Sequence, residues 1–176
     1  MNWITSDTHF NHANIIDYCS RPFSDIAAMN YALIARWNER VTPEDTVYHL
    51  GDFAMGSPVA WPKFTSRLYG HKILVPGNHD RDRGEMLAIG FNQVLDVNVV
   101  VNIDGVLAWL NHYPLKDETA RKFVRPPAPA EYDIALCGHV HQHWKVKQGV
   151  VNVGVDVWDF TPISIRQALD ALIEWN

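Results

Sequence analysis

Apolar positions recur along this chain with two different periods, and the switch between them orders its elements. Trp3 to Ser6 is a short apolar run that predicts a buried strand ending at Asp7. From Asp25 to Arg40, the residues Ile26, Met29, Leu33, Ile34 and Trp37 follow the 3.6-residue period of an amphipathic helix. Ser24 or Asp25 can cap that helix, and Pro43 lies just past its end. Thr46 to Leu50 predicts a second strand, Pro58 to Leu68 a helix ended by Gly70, and Lys72 to Val75 a third strand. Arg83 to Ala88 predicts a helix closing at Gly90.

From Val94 the period becomes two. Val97, Val99 and Val101 face Val106, Ala108 and Leu110 across Asn102-Ile103-Asp104-Gly105, a hairpin signal. Ile134 to Cys137 predicts a further strand, and a second hairpin turns about Gln148-Gly149, between Lys145–Lys147 and Val150–Val157. Ser164 caps a final helix with Ile165, Leu169, Leu172 and Ile173 on one face. The order predicts a layered α/β protein, mixed β-sheets flanked by helices, in one domain over residues 1–176. The irregular Lys116 to Glu131 segment, with Pro126, Pro127 and Pro129, is too long for a simple connection and predicts a functional or mobile loop.

Composition narrows the function classes. A hydrophobic fraction of 47% with 20% charged residues is that of a soluble globular protein. A formal charge of -5 argues against a chain built to grip nucleic acid through phosphate contacts alone, so no strong nucleic-acid surface is expected. Met1 to Asp7 has no signal-peptide character, and Val97 to Leu110, the most apolar stretch, is broken by Asn98, Asn102, Asp104 and Gly105. Two cysteines, Cys19 and Cys137, with no CxxC spacing point to reduced, buried thiols, and with the rest to a cytoplasmic protein. The 9 histidines are clustered, at His9/His12 and His139/His141/His143, which hints at metal or acid–base chemistry.

The predicted strand ends turn that hint into a pattern. They read Asp7-Thr8-His9, Gly51-Asp52, Gly77-Asn78-His79-Asp80, Asn111-His112 and Gly138-His139-Val140-His141. In open α/β sheets, sites form beyond the carboxyl ends of strands. Asp7 and His9 are two apart, as are His139 and His141, and in extended backbone such pairs project to one side. Asp52 can bridge two metals through its two oxygens, and Asn78 offers a neutral oxygen. The nitrogen–oxygen set without thiolate suits Mn first, with Fe, Zn, Ni or Co as alternatives.

These blocks (DTH, GD, GNHD, H and GHVH, spanning residues 7 to 141) resemble the calcineurin-like metallophosphoesterase superfamily, and Ser6 to Ile16 resembles its small bacterial and phage members. The resemblance implies that fold and two divalent metal ions. Asp7, His9 and His141 would hold one and Asn78, His112 and His139 the other, with Asp52 shared. It implies phosphate-ester hydrolysis by a hydroxide bridging the metals, with His79 as the catalytic histidine near the leaving-group oxygen, oriented by Asp80. One departure is the long interval between His9 and Gly51, which leaves the candidate ligands intact. The expected substrate is small and phosphorylated, a phosphodiester or small nucleotide. Phosphomonoesters are the nearest alternative, and a non-catalytic interaction module is the alternative of another class. A metallo-β-lactamase-like site would need HxHxDH, and His139 to His143 lacks that aspartate.

Around this centre, His12 could touch substrate or support a ligand, and Arg81, directly after Asp80, could meet a phosphate. Arg21 and Arg83 are further candidates for that role. Arg121, Lys122 and Arg125 could form a basic lid. Trp158 could stack on a base, and His49 is expected to be a satisfied core histidine.

Overall fold

The computed structural model describes residues 1–114 and 128–175. The expected loop at Lys116 to Glu131 and its basic residues lie largely outside them.

Two sheets form. The first pairs β1 (Asn2–Thr5), β2 (Thr46–His49), β3 (His71–Leu74) and β4 (Gln93–Val94) in that order, all parallel, with Trp3 opposite Val47 and Tyr48 opposite Ile73. Parallel neighbours need crossovers, and helices supply them. These are α1 (Asn14–Tyr18) and α2 (Ile26–Arg40) before β2, α3 (Pro62–Thr65) before β3, and α4 (Arg83–Ala88) before β4. The second sheet is mixed, in the order β5 (Asn98–Ile103), β6 (Val106–Asn111), β7 (Ile134–Cys137), β9 (Val150–Asn152), β8 (Val146–Lys147). The β5–β6 and β8–β9 pairs are antiparallel hairpins, and β6–β7–β9 run parallel. Asp104 and Gly105, at φ +51° and +89°, turn the first hairpin in the doubly left-handed form that matches strand twist. The helix α5 (Ile165–Trp175) closes the chain's order of elements.

Local chemistry accounts for these boundaries. The Asp25 carboxylate accepts from Ala28 N at 2.8 Å and starts α2, which buries Met29, Leu33, Ile34 and Trp37. Ser164 and Gln167 form a reciprocal cap on α5: Ser164 N donates to Gln167 Oε1 and Gln167 N to Ser164 Oγ. The single helix expected over Pro58–Leu68 is instead a 3₁₀ turn, Pro58–Ala60, followed by the short α3. Pro62 has no N–H to give the Pro58 carbonyl, which accepts from Trp61 N instead. The short α1 and the two-residue β4 carry too little period to be read from sequence. Among the described residues, no helix is long and apolar enough to cross a membrane.

The first sheet separates two cores. On one face Trp3, Val47 and Leu74 pack with Met29, Leu33, Trp37, Phe53 and Phe64. On the other, Ile4, Leu50 and Val75 pack with Leu110, Ile134, Leu136 and Val151 of the second sheet and with Ile165 and Ala168 of α5. Alternation along β1 thus sends Trp3 and Ile4 into different cores.

His49 lies in the helix-side core, fully buried, with its ring against Trp37, Phe53 and Phe91. Its Nε2 is 3.0 Å from Thr8 Oγ1, which itself donates to Phe53 O at 2.8 Å. Thr8 must therefore accept from His49, leaving Nδ1 as a buried lone pair without a partner among the described residues. The expected satisfied histidine is satisfied on one side only. Burial pushes its pKa down to about 3, so the unfolded chain takes up this proton first as pH falls. His49 thus contributes stability that is fully present above about pH 6.5 and is lost as pH falls towards about 3. In chemical unfolding across that window, the parent protein should lose stability relative to His49→Phe by up to ~1.4 kcal/mol per pH unit. Parallel profiles for the two proteins would contradict this account of the ring.

Candidate active site

The predicted site residues sit just past the strands, in turns of unusual backbone. Asp7, His9, Asp52, His139 and His141 have φ of +56°, +49°, +59°, +72° and +46°. Left-handed φ is uncommon outside glycine and clusters where a function requires it. This corrects one expectation. Asp7/His9 and His139/His141 converge through left-handed turns, because β1 ends at Thr5 and β7 at Cys137, before strand alternation could align either pair. Backbone bonds lace the turns together: Asp7 N to Gly51 O at 3.0 Å, His9 N to Asp52 O at 3.1 Å, and Gly138 N to His112 O at 3.0 Å. Two glycines let them approach. A Cβ on Gly77 would lie 2.4 Å from Asp52 Oδ1, and one on Gly138 2.5 Å from Asp7 Oδ2.

All seven candidate ligands come together. Donor atoms of Asp7, His9 and His141 lie within 4.8 Å of one another, as do those of Asp52, His112 and His139. Asp52 Oδ2 stands between the groups, 3.5 Å from His9 Nε2 and 3.5 Å from His112 Nε2. Asn78 Oδ1 is 3.2 Å from His112 Nε2.

This set fits a cation at each group. His112 Nδ1 lies 2.7 Å from Leu50 O and so carries a proton, which leaves Nε2 of the neutral ring a lone pair facing the oxygens of Asn78 and Asp52. Lone pair against lone pair is repulsive unless a positive charge sits between. His9 Nε2 is buried without a hydrogen-bond partner among the described residues, aimed at Asp52 and Asp7. Protons compete for the same places. Burial opposes charging His112, yet Asp52 and Asp7 outweigh it and push its pKa up to about 9. Burial likewise opposes His141, but its bond to Asp156, with Cys19 and Asp7 adding to it, pushes it up to about 10. Burial also works to raise Asp52, and His112 and His9 hold it far below the usual carboxylate range.

A surrounding network that the sequence reading missed aims these rings. His141 Nδ1 is 3.1 Å from Asp156 Oδ2, which leaves Nε2 for a metal. Asp156 is held in turn by Arg21, through Nε at 2.8 Å and the second nitrogen at 3.0 Å. Arg21 also donates to the carbonyls of Asp7 and Thr8. Arg21 is therefore no phosphate contact. It is buried and spent on the loop beneath the site. Asn152 donates to His141 O and Trp144 O and accepts from Gly154 N, fixing the turn that carries His141. Arg21 and Asp156 are 135 positions apart, and nothing local signals their pairing.

His12 Nδ1 lies 3.2 Å from His9 Nδ1, one ring giving its proton to the other, so His12 orients His9 while lining the adjoining cleft. His79 stands at the rim, its side chain 40% exposed and its Nε2 4.0 Å from Asp52 Oδ2. Asp80 does not reach the His79 ring, contrary to expectation. Its carboxylate accepts from Asp52 N and Gly77 N at 2.8 Å each and from Phe53 N at 2.9 Å. Asp80 is a brace between the loops after β2 and β3, because three converging N–H groups satisfy its charge better than one ring could. Tyr113, unremarked in the sequence, places its hydroxyl 3.3 Å from Asn78 Oδ1. Arg81 is exposed beside Asn78 and His79, in an adjoining cleft. Arg83 instead meets Asp96 at the surface. Trp158 packs at the second core under Lys145 and donates through Nε1 to Asn152 O at 2.7 Å.

If Asp156 aims His141 at a metal, Asp156→Asn should weaken metal binding by about 10–100-fold in calorimetric titration. Unchanged affinity would contradict that role.

Comparison with known proteins agrees with the geometry. Residues 2–163 match the calcineurin-like phosphoesterase superfamily domain. An uncharacterized protein of Methanocaldococcus jannaschii is 31% identical over 174 residues, covering 93% of this chain and 86% of its own. The gene 66 protein of Mycobacterium phage D29 is 30% identical over 199 residues, covering 98% and 97%. The crystal structure of a protein of unknown function from Aquifex aeolicus, 31% identical, aligns with a TM-score of 0.76 over 98% of each chain. With nearly the whole length matched, the chain belongs to the calcineurin-like phosphoesterase superfamily, and is a metal-dependent phosphoesterase.

Proposed function

We propose that this phosphoesterase hydrolyses phosphodiesters or small nucleotides with two divalent cations, Mn²⁺ foremost. Asp7, His9 and His141 would hold one, Asn78, His112 and His139 the other, and Asp52 would serve both. The observation that carries the reading is Asp52 Oδ2, equidistant at 3.5 Å from Nε2 of His9 and Nε2 of His112. When bound, the cations supply positive charge that screens the phosphate from its nucleophile and makes water more acidic.

The chain's own groups do the rest. Asp80 fixes the loop bearing Asn78 and His79 against the loop bearing Asp52, so the two halves of the centre keep one geometry. Tyr113 steadies the Asn78 carboxamide. His79 is open to the cleft at the edge of the centre, where it hands a proton to the departing ester oxygen. Hydrolysis of an alkyl ester needs that proton, because an alkoxide is a poor leaving group. A nitrophenolate departs unaided.

Metal analysis after Mn²⁺ loading, followed by assays of a monoester and a diester, tests the reading. Two metals per chain and turnover are expected, and less than one metal with no turnover would overturn it. Two variants separate the neighbouring residues. His79→Ala should keep its metal and lose about 10²–10⁴-fold in kcat on an alkyl diester, with a smaller loss on a nitrophenyl diester. Asp80→Ala should lose metal as well as turnover, since it frees both loops. Retained metal in Asp80→Ala would contradict the brace.

A further inference from the structure

Two cavities meet at His79, and their walls differ. One, of about 400 Å³, begins at His9 and His141 and is walled by Ile15, Tyr18, Cys19 and Met55, with His12 at its side. The other, of about 460 Å³, begins at Asn78 and runs past Gly56 and Trp61 to Arg81. Met55 and His79 border both. Each cavity thus opens from a different group of candidate ligands, and the proton donor stands where they join. Both volumes lie within the roughly 300–1,000 Å³ typical of small-molecule sites.

The first cavity offers mainly carbon and sulfur to an occupant, and His12 stands edge-on to Tyr18 with ring centres 6.2 Å apart. Such walls suit a flat aromatic group, which gains from edge and face contacts as well as burial. The second cavity is charged. Arg81 lies over the Trp61 ring at 5.9 Å, and its one polar contact is Gly56 O at 3.5 Å. Asp80 beside it turns both its oxygens to the backbone N–H groups of Asp52, Phe53 and Gly77. Among the described residues Arg81 makes no ion pair, so its guanidinium is left to meet an anion.

Resting on the phosphodiesterase reading above, we propose that the substrate is a diester lying across His79. Its departing arm carries an aromatic group into the Ile15–Tyr18–Met55 cavity, and its retained arm carries a second phosphate to Arg81. Water adds to the phosphorus, and the bond to the departing oxygen breaks. One proton of that water ends on the departing oxygen by way of His79. The products are an alcohol bearing the aromatic group and a monoester that keeps its second phosphate.

The p-nitrophenyl ester of thymidine 5′-phosphate, with and without a 3′-phosphate, tests this on the Mn²⁺-loaded protein. The 3′-phosphate should raise kcat/KM about tenfold. Arg81→Ala should bring the ratio of the two diesters to about one, and Arg81→Lys should restore part of it. Tyr18→Ala should raise KM for both diesters several-fold with a smaller effect on kcat. Both side chains are exposed, so neither change threatens the fold. A ratio near one in the parent protein, or a ratio that survives Arg81→Ala, would overturn the proposal. So would a kcat/KM for p-nitrophenyl phosphate equal to that for the phosphorylated diester. Failure to cleave any of the three esters would instead remove the phosphoesterase reading beneath it.

Discussion

Asp52 is a buried carboxylate, and one of its oxygens faces nitrogens of His9, His112 and His79 within 4.0 Å. A charge removed from water at that depth is costly unless opposite charge or hydrogen bonds replace its hydration. Its other oxygen is met by His79 N at 2.9 Å, and its own N–H is spent on Asp80. What remains is the Oδ2 face, surrounded by imidazoles whose far nitrogens are already committed to Leu50 O and to His12. Positive charge placed against that face, a proton or a divalent cation, relieves this arrangement, and the nitrogen and oxygen donors present fit a cation on either side of Oδ2.

The fold is arranged to hold that point. The parallel sheet brings the chain out at Asp7, Gly51 and Val75 on one edge, and the mixed sheet brings it out at His112 and Gly138. Between them lies a close-packed core of aliphatic side chains, which holds the two sets of turns apart. Left-handed backbone costs an ordinary L-residue about 1–2 kcal/mol. Five donor-bearing residues adopt it, and the bonds from Asp80, Arg21 and Asn152 to the backbone of these turns are what hold them there. The hydrogen-bond network thus offsets the strain that the turns carry.

Much of this was legible in the sequence, for identifiable reasons. Asp25 with the Met29–Leu33–Trp37 stripe announced α2, and Asp104-Gly105 announced a hairpin, because caps and turns are local chemistry. Asp7, His9, Asp52, Asn78, His112, His139 and His141 could be picked out because they follow strand ends, and the strand ends of the two sheets meet. The geometry behind the pairs was misread: their two-residue spacing works through left-handed turns, and dihedral angles leave no mark on spacing. Asp80 was assigned to its sequence neighbour His79, whereas its partners are backbone groups of Gly77, Asp52 and Phe53. The Arg21–Asp156 pair and the contact between Tyr113 and Asn78 depend on which loops meet in space, and no periodicity encodes that.

The proposed centre depends on Asp52 Oδ2 lying between two cations. Anomalous X-ray diffraction from crystals grown with Mn²⁺ tests this directly. The account predicts two peaks about 3.5–4 Å apart, one beside Asp7, His9 and His141 and one beside Asn78, His112 and His139, with Asp52 contacting both. A single peak at full occupancy, or two peaks of which Asp52 contacts only one, would contradict it.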